Sequence, residues 1–144
     1  MEIIPYTSAG SLKLNMRKEE VREVMNEPPI EFVRDEDELT SDHFVKSGVF
    51  SYYKEDEETN NAYEFTAPAE VTCKGISFLN MRERKAKKLF KKLDPDFVDF
   101  EETFISLEHG ISLFFMNHKV ETVLVFERNY YDDLFEELKK LDEI

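Results

Sequence analysis

The stretch "GSLKLNMRKEEVREVM" at residues 10–25 returns, altered, as "GISFLNMRERKAKKLF" at residues 75–90. Gly10, Leu14, Asn15, Met16 and Arg17 recur as Gly75, Leu79, Asn80, Met81 and Arg82, and most other positions exchange like for like. The 65-residue offset holds through Phe32 and Phe97. A three-residue deletion then pairs "SGVFSYY" with "HGISLFF", matching Gly48 to Gly110. One further deletion pairs "AYEF" with "VLVF". Correspondence over about 55 residues with short gaps is the mark of an internal duplication.

Each copy reads as the same series of elements. "SLKL" alternates apolar and polar residues, as a short strand does. Asn15 stands where a helix N-cap is expected, and Val21, Val24 and Met25 follow on one helical face. "NEPP" stops that helix, because proline cannot continue it. "IEFV", "HFVKSGVFSYYKE" and "NAYEFTAP" then read as three strands. In the second copy "AEVTCKGISFL" is the strand, and Asn80 with Glu83 forms a capping-box pattern. Ala86, Leu89, Phe90 and Leu93 make the apolar stripe of a helix. "DFVDFEE", "TFISLEHGISLFFMN" and "VETVLVFER" supply three more strands. Tyr131, Leu134, Phe135, Leu138 and Leu141 recur at helical spacing beyond them.

The predicted architecture is therefore α+β. Two tandem β-α-β-β-β repeats (about 10–67 and 70–128) form an antiparallel sheet with helices packed on one face. A C-terminal helix over about 130–143 completes a single domain spanning residues 1–144. One unit alone makes a thin core, whereas two side by side share a continuous one. The second sheet face is then left for a partner.

Composition narrows the function. The chain is 41% hydrophobic with 13 Phe and 6 Tyr, enough for a core and unlike a disordered acidic tail. Cys73 is the single cysteine, so no internal disulfide forms and a reducing compartment is expected. The start "MEIIPYTSAG" lacks a basic segment followed by a long apolar run, and no run approaches the length of a membrane span. The expectation is a cytoplasmic protein.

Net charge is −13, which disfavours nucleic acid and anionic membranes. Between Arg82 and Lys92 seven basic residues meet one acid, a local excess of six positive charges, so the remainder carries −19. Acids concentrate at 34–42, at 54–58 and from Asp132 onward. The simplest partner for such a field is a basic protein.

The order strand, "LxM", helix, "xxP" and meander is carried by Leu14, Met16, Val21 and Pro28, echoed by Leu79, Met81 and Ala86. Over most of residues 10–127 it resembles the half-unit of the β-lactamase inhibitor protein, a tandem repeat of such units. It is also similar to the single-unit small lipoprotein of the outer-membrane barrel-assembly machinery. Asn15, Asn26 and Asn80 stand where those families usually place glycine. The resemblance implies a sheet face presented to another protein, with no chemistry performed. Small acidic proteins of this kind also look like immunity proteins, which neutralise toxins.

No catalytic constellation is expected, and no metal or cofactor. His43, His109 and His118 read as turn or strand-end residues without ligand spacing. Cys73 reads as a buried thiol rather than a nucleophile. Four glycines build no phosphate loop. The basic helix is read as a solvated face, with Lys85, Lys88 and Lys92 within reach of acids from the C-terminal helix or loops.

Adjacent aromatics place one of Tyr52 and Tyr53, and one of Phe114 and Phe115, on the face away from the repeat helices. Loops or a dimer mate are the other cover considered for that face. The candidate binding surface combines these four anchors with steering acids at Asp35, Glu36, Asp37, Glu38, Glu55, Asp56, Glu57 and Glu58. The predicted function is a non-enzymatic inhibitor or immunity protein that occludes a basic partner such as a toxin. The alternative is a structural or regulatory homodimer.

Overall fold

The computed structural model describes residues 1–33, 40–54 and 58–142. Three short strands, β1 (Ile3–Ile4), β2 (Ser8–Ala9) and β3 (Leu12–Lys13), form a small antiparallel sheet. Helix α1 (Lys18–Met25) is followed by four strands: β4 (Ile30–Val33), β5 (Thr40–Phe44), β6 (Val49–Tyr53) and β7 (Asn60–Phe65). Helix α2 (Glu83–Leu93) is likewise followed by β8 (Val98–Phe100), β9 (Thr103–Ser106), β10 (Ile111–Met116) and β11 (Lys119–Phe126). Helix α3 (Asp132–Asp142) comes last. The eight strands form one antiparallel sheet in the order β4-β5-β6-β7-β11-β10-β9-β8, so two meanders join through their last strands.

Each helix precedes four strands rather than the three expected. "HFVKSGVFSYYKE" and "TFISLEHGISLFFMN" both break at a glycine turn. Gly48 has φ +70°, and a Cβ there would lie 2.3 Å from the Thr66 carbonyl oxygen. Gly110 has φ +65°, and its Cβ would meet the Tyr6 ring at 2.9 Å. Glycine alone fits such turns. The strand predicted at "SLKL" shrinks to β3, and "AEVTCKGISFL" makes only isolated bridges, Cys73 with Ile76 and Thr72 with Glu2.

Asn15 and Asn80 are not helix caps. They adopt left-handed geometry, φ 67° and 66°, and the extended cap residues are Arg17 and Arg82, neither making a side-chain capping bond. Backbone carbonyls do the capping instead. Lys18 N donates to Glu58 O at 3.1 Å, and Glu83 N donates to His118 O at 2.8 Å. A hairpin end thus supplies the acceptor that a cap side chain otherwise would.

Corresponding hydrogen bonds occur in both halves. Asn15 N donates to Asn60 O and Asn80 N to Val120 O; Asn60 N donates to Met16 O and Val120 N to Met81 O. A register shift falls between Tyr52 and Tyr53 opposite β7, and between Phe114 and Phe115 opposite β11. These pairings set Phe65 beside Val49 and Val125 beside Ile111. With Gly48 set against Gly110, the place Phe65 holds beside Val49 is held beside Ile111 by Val125, one place earlier than the match of "AYEF" with "VLVF". A one-residue slip reverses every side chain on a strand, so this register decides what each face carries.

The face beneath α1 and α2 holds the main core. Val21, Ala86 and Phe90 are fully buried against Phe44, Tyr63, Phe65 and Leu113. Phe90 contacts Phe78, Phe97 and Phe104 at centroid separations of 5.8, 5.4 and 6.2 Å. Burying a ring of that size contributes roughly 1.5–3 kcal/mol. Along β6, β7, β9 and β11 the alternate positions Tyr52, Ala62, Ile105 and Phe126 point the other way. They are met by Tyr131, Leu134 and Phe135 at and within α3. The second face is therefore not wholly open, because α3 seals its centre. No helix among the described residues is long and apolar enough to cross a membrane.

Candidate protein-interaction surface

What α3 leaves uncovered lies toward both edges of that second face. On β10, Ser112, Phe114 and Met116 share the face at i, i+2, i+4. Ser112 is buried, with its hydroxyl 3.2 Å from Tyr131 Oη. Phe114 is 37% exposed and Met116 52%. The hairpin turn beyond them uses Asn117 and His118, both left-handed (φ 52° and 63°), which matches the twist of a two-residue hairpin. A concavity of about 500 Å³ lies here, lined by Glu83, Glu102, Phe114, Phe115, Met116, Asn117 and His118. Glu102 is exposed, in the β8–β9 turn, and its carbonyl accepts from Phe115 N at 3.0 Å.

Toward the β4 edge a second apolar group stands partly open. The His43 ring stacks on Phe50 at 3.9 Å and 9°, and Phe32 meets Phe50 and Tyr52 edge-on at 5.9 and 6.3 Å. Ile30, paired with His43 across the strands, is 59% exposed.

Of the four aromatic anchors expected from sequence, only Phe114 is exposed. Tyr52 is 9% exposed, donating its hydroxyl to Glu64 Oε2 at 2.6 Å. Tyr53 and Phe115 belong to the helix-covered core, 5% and 3% exposed, although Phe115 borders the concavity beside Phe114. Tyr53 donates to Asp42 Oδ2 at 2.8 Å, and burial pushes its hydroxyl well above the ordinary tyrosine range. Phe115 packs on Phe104 at 4.6 Å. Among the expected acids Glu58 is exposed, in left-handed geometry. Asp35, Glu36, Asp37, Glu38, Glu55, Asp56 and Glu57 lie outside the described residues. Sequence reasoning missed Met116, Phe32, Phe50 and Ile30. Met116 was within reach, since it follows Phe114 at the spacing that keeps a strand residue on one face.

The histidines do not converge. His43 stacks on Phe50, His109 Nε2 lies 3.0 Å from the Leu93 carbonyl at the end of α2, and exposed His118 sits 3.4 Å from Glu83. Cys73 is buried, and desolvation, aided by Glu2 and opposed by Lys74, pushes its thiol up to about 11. Among the described residues no group of three or more His, Cys, Asp or Glu is placed to hold a metal. The arrangement can offer apolar contact area and negative charge to a macromolecule. Compared with known proteins, the chain matches no family model, no curated protein and no solved structure.

Proposed function

We propose that this chain is a non-enzymatic protein-binding module that inhibits a basic partner, such as a toxin, by covering it, in the manner of an immunity or inhibitor protein. The carrying observation is the exposed pair Phe114 and Met116, held open beside Glu102 on a sheet face whose centre α3 seals. Large apolar side chains supply binding energy once desolvated, and a chain of net charge −13 steers a basic protein toward them. The paired hydrogen bonds around Asn15 and Asn80 support a tandem duplication of a helix-plus-meander unit.

Affinity capture from the source cell tests this reading, with tagged wild-type protein and an F114A/M116S variant at low and high salt. A basic protein held at low salt, released at high salt and lost by the variant is expected. Equal capture by the variant would remove this surface from consideration. A second reading, a structural or regulatory homodimer, is favoured by β4, which ends the sheet among the described residues and carries Ile30 and Val33 at 59% and 56% exposed. Sedimentation of the purified chain separates the two readings.

A further inference from the structure

Helix α2 carries a second surface, of opposite sign. Ala86 and Phe90 face the core, while Arg82, Arg84, Lys85, Lys87, Lys88, Lys91 and Lys92 are all exposed. Acids from the C-terminal helix do not neutralise them as the sequence suggested, because α3 packs on the opposite sheet face. Among the described residues, the ion pair made by these bases is Lys87 Nζ to Asp99 at 3.8 Å, a separation worth little in water. At its N-terminal end the basic face opens on a concavity of about 380 Å³ lined by Arg82, Arg84, Asn117, His118, Lys119 and Glu83. Glu83 is the acid in that group, and His118 lies 3.4 Å from it.

From this we infer that the outer face of α2 is a docking surface for a short acidic segment of a protein; its N-terminal concavity adjoins the Phe114 concavity through Glu83, Asn117 and His118, whereas Lys85, Lys88 and Lys92 line neither. Charge complementarity fixes the sign of the occupant, and size and composition fix its class. Eleven helical residues span about 16 Å, which matches an extended peptide of about five residues. A nucleic-acid duplex runs far beyond that length, into the field of a chain carrying −19 elsewhere. A single strand needs aromatic platforms for its bases, and the exposed residues of α2 are arginine and lysine alone apart from those facing the sheet.

The test is fluorescence anisotropy of the full chain with a labelled hexaglutamate peptide, at low salt and at about 0.3 M, where screening is strong. The comparison is a K85E/K88E/K92E variant, its fold checked by circular dichroism and thermal melting. A labelled single-stranded oligonucleotide and sedimentation of the chain alone run beside it. Peptide binding at low salt that weakens about tenfold or more both at high salt and in the variant is expected. Failure of the wild type to bind, or equal binding by a folded variant, would overturn the inference. Tighter binding of the oligonucleotide would assign the face to nucleic acid instead. Self-association abolished by the variant would assign it to a second copy of the chain.

Discussion

Arg22 and Asp42 form a bidentate pair: Nε reaches Oδ2 at 2.9 Å and Nη2 reaches Oδ1 at 2.8 Å. Asp42 is fully buried on β5, while Arg22 rises from α1 with its side chain 33% exposed. Tyr53 adds a third bond to Asp42, and Glu31 a second partner to Arg22 at 2.6 Å. The hydrogen bond with Asp42 is the largest cause of the raised Arg22 pKa. The pair fixes α1 against the first meander. Removing one partner strands a buried charge, which costs far more than the pair contributes. R22A, which strands buried Asp42, should lower stability by about 3 kcal/mol in urea unfolding, and D42A by less, because Arg22 is one-third exposed and keeps Glu31. The R22A/D42A double variant should lose clearly less than the sum of the two, and additive losses would show that the two residues do not act as a pair.

The left-handed asparagines make a sharper test of local structure. Asn tolerates positive φ better than any β-branched residue, which is how Asn15 and Asn80 hold φ of 67° and 66°. N80G should stay within about 0.5 kcal/mol of wild type, whereas N80V should cost about 1–3 kcal/mol from backbone strain. A thermal melt of N80S distinguishes this from a side-chain capping role: serine replaces asparagine as a cap at little cost, whereas at positive φ it should destabilise more than N80G.

Much of the fold is legible in the sequence; the strand count of the meanders and the helix caps are not. The helices at "RKEEVREVM" and "RERKAKKLF" and the last helix followed from periodicity, because an apolar stripe at 3.6-residue spacing has one way to bury itself. The four-strand meanders are marked only by the short polar breaks Lys46-Ser47-Gly48 and Glu108-His109-Gly110, which a reading of each segment as one strand passes over, and the positive φ of both glycines shows them to be turns. The cap was misread because Asn favours both cap and left-handed positions, while the acceptor comes from Glu58 and His118, distant in sequence. At the surface, adjacency of Phe114 and Phe115 showed that one of them points outward. Strand alternation decides which: Ile111, Leu113 and Phe115 share the core face, which leaves Phe114 outward, while the register shift skips Glu121 on β11.

Exposure separates binding residues from core residues in a way stability can measure. Phe104 is 3% exposed and touches Phe90, Phe97 and Phe115, so F104A should cost about 3–5 kcal/mol. F114A should cost less than about 1 kcal/mol, leaving any loss of partner capture attributable to the surface.

Helix α3 should behave as a cover. L134A and F135A each remove half-buried apolar area and should destabilise by about 1–2 kcal/mol. Removing residues 130–144 should expose Phe126, Ile105 and Tyr52 and raise binding of an apolar dye. An unchanged dye signal would mean that α3 does not seal the face.

Alkaline pH should weaken the fold through buried acids of high pKa. Cys73 rises from 9.0 to about 11, and Tyr53 and Tyr63 rise well above 10.0, all chiefly by burial. In each case the unfolded chain gives up its proton first, so the contribution is complete below the unfolded pKa and is lost as pH rises toward the folded one. Urea midpoints should therefore fall above pH 9, with Cys73 accounting for about 2 kcal/mol by pH 11. C73A should flatten the decline between pH 9 and 11 and leave the tyrosine part above 10. An unaltered slope would contradict the assignment to the thiol.

The most direct measurement is hydrogen exchange on the chain alone and in complex with the captured basic partner. Slower exchange confined to the β10–β11 hairpin and the β8–β9 turn, around Phe114, Met116 and Glu102, is the expected footprint. Protection restricted to the α1 and α2 side of the sheet, with the hairpin unchanged, would contradict binding through the second face.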